Sequence, residues 1–333
     1  MHMESLFVSR EVLMTLKSIL LSLFILTTLV PLECAGSEAQ GESGGEVTKE
    51  QYDRWMSELS NWGRWGDDDQ LGALNLITPA KRIQAAGLVR HGTTVSMARP
   101  ITLKSSDPTD PSDGNRPPLL GGTVRTLFDI DHDNGYFWER YEIEYHGNLV
   151  SHLDALCHVA YNGNVYNGFN FEDVASTTNG CRQLGVANLR DGLVTRGILI
   201  DMPGVSVRRQ DIESWEADTG ITISSDDALF LRTGRDVGED GGYHPSLMPF
   251  FKERDIALLG ADVPQEGGTV EGVTIPIHFF TLVSLGVHLF DNIGLEELAE
   301  TANKLEQWEF MFMASPHGVP NGAGAALNPL AVF

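Results

Sequence analysis

The stretch RGILIDMPGVSVRRQDIESWEADTGITISSDDALFLRTG, residues 196–234, carries the reading of the fold. It begins with RGILIDMP (196–203) and ends with DALFLRTG (227–234), two short apolar runs closed by turn residues. A half-exposed strand alternates apolar and polar positions. These runs do not, so they read as strands buried on both faces. Between them, SVRRQDIESWEADTG (206–220) reads as a helix that stops at Gly220, a residue suited to the position just past a helix end.

The same alternation runs outward in both directions. Upstream, TPAKRIQAAGLV (78–89) is a helix with Thr78 as N-cap and Pro79 at its first position, and TTVSMARPI (93–101) is a strand. SSDPTDPSDGNRPPLLGG (105–122) is a long Pro/Asp/Gly loop. Downstream, DIALLGADVP (255–264) is a buried strand, IHFFTLVSLG (277–286) a helix and VHLFDNI (287–293) a strand. LEELAETANKL (295–305) is a helix, WEFMFMASP (308–316) the last strand and GAGAALNP (322–329) a tight turn. Strands and helices alternate without an internal repeat, which defines one α/β domain.

Composition bounds the rest. The 333 residues are 42% hydrophobic and 21% charged, an ordinary globular balance. A net charge of -23 argues against a nucleic-acid or anionic-membrane partner, each of which needs a basic patch. Lys17 followed by SILLSLFILTTLVPL (18–32) and small residues reads as a cleaved export signal. The organisation is therefore a signal peptide and leader over 1–39, a flexible linker over 40–51 and a single domain over 52–333. The expected location is periplasmic or extracellular, with no membrane attachment after cleavage. Of three cysteines, Cys157 and Cys181 would remain. One disulfide is open to them in an exported protein, but Cys157 reads as a small packed residue.

Chemistry concentrates in HGNLVSHLDALCH (146–158). In an extended chain, side chains of one parity face one side. His146, Asn148, His152, Asp154 and His158 all share that parity, so a strand over 146–158 presents them together. Two imidazoles and a carboxylate spaced H-x-D-x-x-x-H form a plausible mixed N/O site for zinc or manganese. No G-x-S-x-G elbow, phosphate loop, H-E-x-x-H or strand-linked dinucleotide loop competes with it.

The chain resembles the metal-dependent cyclase and kynurenine formamidase-like hydrolases, which include bacterial arylformamidases and isatin hydrolase. Their hallmark is H-x-G-T-H-x-D-x-P-x-H, and the aligned stretch is NLVSHLDALCH (148–158). His152, Asp154 and His158 match it. Asn148, Val150, Ser151 and Leu156 replace its first His, its Gly, its Thr and its Pro. WGRWGDDDQLGALNLITPAKR (62–82), DALCHVAYNGNVYNG (154–168), LLGADVPQ (258–265), IHFFTLVSLGVHLFDN (277–292) and NGAGAALNPLAVF (321–333) extend the likeness over most of the domain, in the manner of the longer members.

The resemblance implies a swivelling β/β/α domain with a mixed sheet core and flanking helices, assembled as a homodimer or homotetramer. It implies His152 and Asp154 as metal ligands, Asn148 at a third ligand position, and His146 as its replacement from two residues upstream. One divalent ion, manganese or zinc, fits this set better than two. The implied reaction is hydrolysis of a C–N amide bond in an N-formyl aryl amine, such as N-formylkynurenine to kynurenine, or in a cyclic amide. His158 would shuttle the proton, with His278 and Asp291 orienting it or stabilising charge. Trp62, Trp65, Phe137 and Trp138 are candidates for an aromatic pocket, and Tyr166 and Asn167 for its mouth. Two competing readings are a secreted small-molecule-binding protein without turnover and a lyase or cyclase on the same scaffold.

Overall fold

In the computed structural model the described residues are 45–101, 124–234 and 241–333. The export signal, the start of the linker and the 105–122 loop lie outside them. The strands are β1 (Thr94–Ser96), β2 (Val124–Asp131), β3 (Tyr136–Ile143), β4 (His152–Asp154), β5 (Ala175–Ser176), β6 (Gly180–Cys181), β7 (Leu193–Asp201), β8 (Ser206–Val207), β9 (Ala228–Arg232), β10 (Gly242–Tyr243), β11 (Leu258–Ala261), β12 (His288–Asp291), β13 (Glu309–Ala314), β14 (Gly324–Ala326) and β15 (Leu330–Val332). The helices are α1 (Lys49–Glu58), α2 (Pro79–Ala86), α3 (Phe171–Val174), α4 (Arg209–Thr219), α5 (Met248–Glu253), α6 (Pro276–His278) and α7 (Glu296–Leu305).

Nine strands form one mixed sheet in the order β1-β15-β13-β7-β9-β11-β12-β4-β14. Its centre, β7-β9-β11-β12, is parallel, and the stretch that opened the reading supplies β7, α4 and β9. The two apolar runs are buried as expected, with Ile198, Leu199, Ile200, Leu229, Phe230 and Leu231 fully enclosed. α4 ends at Gly220, whose φ of +70° is the left-handed cap. α2 starts where the sequence places it, with the Thr78 hydroxyl accepting from Lys81 N. This is the α/β fold with a mixed sheet core and flanking helices.

Four local expectations change. The chain packs from Val47, and α1 begins at Lys49, so ordered structure starts a little before residue 52. IHFFTLVSLG is not a plain helix, because α6 passes into a π-helical stretch, Phe279–Leu285. The N-terminal segment satisfies its last carbonyls: Asn61 N bonds Ser284 O, Asn61 Nδ2 bonds Leu285 O, and the Trp62 indole bonds Val283 O at 2.6 Å. β13 is not the last strand, since GAGAALNP contains β14, which pairs with β4 rather than forming only a turn. Finally, Cys157 and Cys181 form a disulfide, so Cys157 is more than a packed residue.

Candidate metal centre

β4 is three residues long and lies between β12 and β14, antiparallel to both. His152 faces Asp291 and Ala326 in register, and Asp154 faces Leu289 and Gly324. The parity argument therefore holds for His152 and Asp154 but not for the whole of 146–158. The chain bends on both sides. Gly147, with φ of +145°, turns the segment that carries His146. A tight turn after β4, in which His158 N bonds Ala155 O, carries His158 back over the strand. Bends, not an extended strand, bring these two rings to the carboxylate.

Asp154 is the centre of the arrangement. His146 Nε2 is 3.2 Å and His152 Nε2 3.6 Å from its Oδ1. His158 Nε2 is 3.8 Å and His278 Nε2 3.9 Å from its Oδ2. The His146 and His158 rings stack at 4.1 Å. The carboxylate is buried, and neither oxygen has a hydrogen-bond partner with proper alignment. Burial by itself raises its pKa, but the surrounding imidazoles, His158 foremost, outweigh burial and hold it below the ordinary carboxylate range. A buried, ionised carboxylate without hydrogen bonds is costly unless a cation answers it.

The other groups are fixed from behind. His152 Nδ1 donates to Val150 O at 2.8 Å, which leaves the Nε2 lone pair free toward Asp154. Gln265 Nε2 donates to Asp291 Oδ1 at 2.6 Å, and His278 Nε2 donates to Asp291 Oδ2 at 3.1 Å. His278 Nδ1 donates to Glu266 Oε1 at 2.8 Å, and the same carboxylate accepts from Ile277 N and His278 N at the start of α6. Burial works against a charge on His278, but Asp291 and then Glu266 outweigh it, so its pKa rises well above the ordinary value. His158 goes the other way. Burial lowers its pKa, Asp154 opposes this, and the neighbouring histidines add to the lowering. His278 is thus biased toward the imidazolium and His158 toward the neutral imidazole.

Among the described residues, ligand atoms gather within 4.8 Å of one another in two triads that share Asp154. One is His146, Asp154 and His158. The other is His152, Asp154 and Asp291, all buried. Mixed imidazole and carboxylate donors of this kind suit zinc or manganese. The Asp154 oxygens without aligned partners and the oriented His152 ring fit a bound divalent cation.

The remaining candidates separate. Asn148 is half-buried and makes none of these contacts. Tyr166 is fully buried, its hydroxyl bonded to Asp69 at 3.0 Å. Asn167 ties the 63–69 loop down through Gly63 N, Gly66 O and Asp67 O. Trp62 helps to cap the π-helical stretch, and Trp65 lies under the Arg64 guanidinium at 4.8 Å. Phe137 and Trp138 are 56% and 52% exposed on the β2–β3 hairpin and pack at a tilt against Phe128 and Tyr136. Among the described residues the hairpin pairs with itself and not with the nine-stranded sheet that carries the site.

Three participants escaped the sequence reading. Gln265 and Glu266 follow β11, and polar residues just beyond the carboxyl end of a parallel strand are the signal that finds them. Tyr145 packs its ring 4.4 Å from His146 and donates to Gly324 O at 2.9 Å. It carries no spacing signal.

With the geometry in place, the comparisons are direct. The Cyclase family matches residues 81–266, more than half of the chain, and the chain belongs to that family. A solved structure described as a novel cyclase is 27% identical, with a TM-score of 0.71, over 84% of this chain and 99% of its own. An isatin hydrolase bound to the product analogue thioisatinate shares the fold at 16% identity and a TM-score of 0.50, over 77% and 99%. No curated protein matches the chain.

Proposed function

We propose that the protein is a metal-dependent hydrolase that cleaves a C–N amide bond of an N-formyl aryl amine or a cyclic amide. One observation carries the reading: Asp154 is buried, its carboxyl held below the ordinary range, with no well-aligned hydrogen bond among the described residues and four imidazoles within 4 Å of it. His152, Asp154 and Asp291 would hold the ion. Each of the two flanking ligands is already oriented by a hydrogen bond from behind, as metal sites require. Asp291 then acts as a ligand rather than as a partner of the proton shuttle. A divalent ion there would supply Lewis acidity toward a carbonyl and a water of lowered pKa.

The chain's own residues do the rest. His158 is neutral and partly open, so its ring accepts the proton lost by the attacking water and returns it to the leaving nitrogen. His278, an imidazolium between Glu266 and Asp291, offsets the carboxylates around it and keeps Asp291 in place. Stacking of His146 on His158 limits the shuttle's rotation.

Export through the N-terminal signal is part of this proposal, supported by the disulfide, which persists in oxidising compartments. Assembly as a homodimer or homotetramer is proposed with it. The second triad, with the second free Asp154 oxygen, favours an alternative with two ions. Stoichiometry separates the two. The test of function is elemental analysis followed by turnover of N-formylkynurenine and a panel of cyclic amides with manganese or zinc supplied. Bound metal without turnover of any amide points to a binding protein, and release of a non-hydrolytic product points to a lyase or cyclase.

A further inference from the structure

We infer that the Cys157–Cys181 disulfide is a positioning element of the site, holding His158 over Asp154; the inference rests on the proposed role of His158. β4 ends at Asp154, Ala155 N still bonds Ala323 O, and among the described residues no strand pairing continues beyond that into the turn that carries His158. The backbone there is held by His158 N to Ala155 O at 2.9 Å, inside the turn, and by Cys157 N to Leu184 O at 3.2 Å. The disulfide adds a covalent bond at the residue next to His158.

Its other end is well anchored. Cys181 lies on β6, and Cys181 N bonds Asn321 O at 2.8 Å. Arg182 N bonds Val174 O, Leu184 N bonds Gln70 Oε1, and Val186 N bonds Gly322 O. The 319–322 loop leads directly into β14, where Gly324 sits opposite Asp154. A Cβ on Gly324 would lie 3.2 Å from His146 Nε2, which places the strand directly against that ring. The disulfide therefore closes a loop of contacts from the His158 turn, through residues 181–186 and 321–324, back to Asp154 and His146. Without it, the His158 turn is tied to that scaffold by Ala155 N to Ala323 O at its first residue and, next to His158, by Cys157 N to Leu184 O. β4 and β12, which carry His152, Asp154 and Asp291, do not depend on it.

The test reduces the folded, full-length protein with a dithiol. The S–S bond takes up two electrons and two protons to give two thiols, and the dithiol is oxidised to its cyclic disulfide. Alkylation then fixes the reduced state and is confirmed by mass. The first readout needs no metal and no substrate: the contact between the His146 and His158 ring protons, read by NMR in the metal-free protein. It is present in the oxidised form and is expected to disappear on reduction, while circular dichroism stays unchanged. The second readout is kinetic. kcat should fall about tenfold or more with an altered pH profile, while KM and metal content hold.

Persistence of the ring contact after reduction overturns the inference, whatever happens to turnover. Global unfolding on reduction also overturns it, because the bond is then a staple of the fold rather than of the site. If no amide is turned over even by the oxidised protein, the function proposed above fails and the ring contact still decides this inference. The double variant Cys157→Ala/Cys181→Ala repeats the measurement without reductant.

Discussion

Gly324→Ala tests whether the fold and the site are one construction. Gly324 pairs with Asp154 across the β14–β4 contact, and a Cβ there would stand 2.2 Å from Leu153 O and 3.2 Å from His146 Nε2. The first neighbour is backbone in a buried strand and cannot swing away. Restoring an ordinary contact means parting the two strands by about 1 Å. Overpacking of this kind costs about 1–3 kcal/mol. Weakening the neighbouring bond from Ala155 N to Ala323 O, 2.9 Å long, adds about 1 kcal/mol. The sum is a loss of about 2–4 kcal/mol in urea unfolding. A displaced β4 also moves Asp154, so affinity for added zinc, measured by competition with a chromophoric chelator, should fall about tenfold or more. Wild-type stability together with wild-type affinity would refute the claim that β14 presses on this strand.

Other consequences are equally concrete. Lys81 and Asp227 are buried with Nζ and Oδ1 2.6 Å apart. Lys81→Met leaves the carboxylate with Arg196 at 3.2 Å as its remaining cation among the described residues, beside the Ser224 hydrogen bonds, and unfolding should show a loss of about 3 kcal/mol. His288 is fully buried, and burial pushes its pKa down to about 3, against the weaker opposing pull of Asp69 and Asp154. The native ring stays neutral while the unfolded ring gains a proton below about 6.5, so stability declines as pH falls from there toward 3. That span carries at most about 4 kcal/mol, and His288→Leu should flatten this part of the stability–pH curve. Glu266→Gln removes one of the two carboxylates that keep His278 charged. NMR titration of the metal-free protein should then find the His278 pKa lower than in wild type, and an unchanged value would contradict the assignment.

Much of this was legible in the residues, for reasons that differ from place to place. The core strands announced themselves because Ile198–Ile200 and Ala228–Leu231 are apolar without alternation, as strands covered on both faces must be. α2 and α4 were bounded by local chemistry, the Thr78 cap and Gly220. His152 and Asp154 followed from the strand period. Asn148 and His146 could not be separated by period, since both share the parity, and the bend at Gly147 decides which side chain reaches the carboxylate. Gln265 and Glu266 come from a part of the chain that sequence order does not bring together with 146–158, and Tyr145, though next to His146, carries no spacing that marks it. Their roles depend on register between strands far apart in the chain. The disulfide was left open rather than assigned, its two cysteines being 24 residues apart with no spacing to pair them. Phe137 and Trp138 show the limit of arguing from residue type, because an aromatic pair suits a pocket or an exposed hairpin equally well until the strands are placed.

The central claim is that the Asp154-centred pocket binds a divalent cation. Its most direct test is calorimetric titration of the metal-free protein with zinc and with manganese, in wild type and in Asp154→Asn. The account predicts close to one equivalent bound by the folded wild type and a loss of at least two orders of magnitude in affinity in the variant, whose side chain keeps the shape but lacks the charge. A folded wild-type protein that binds neither ion, or an Asp154→Asn protein that binds as tightly, would contradict it.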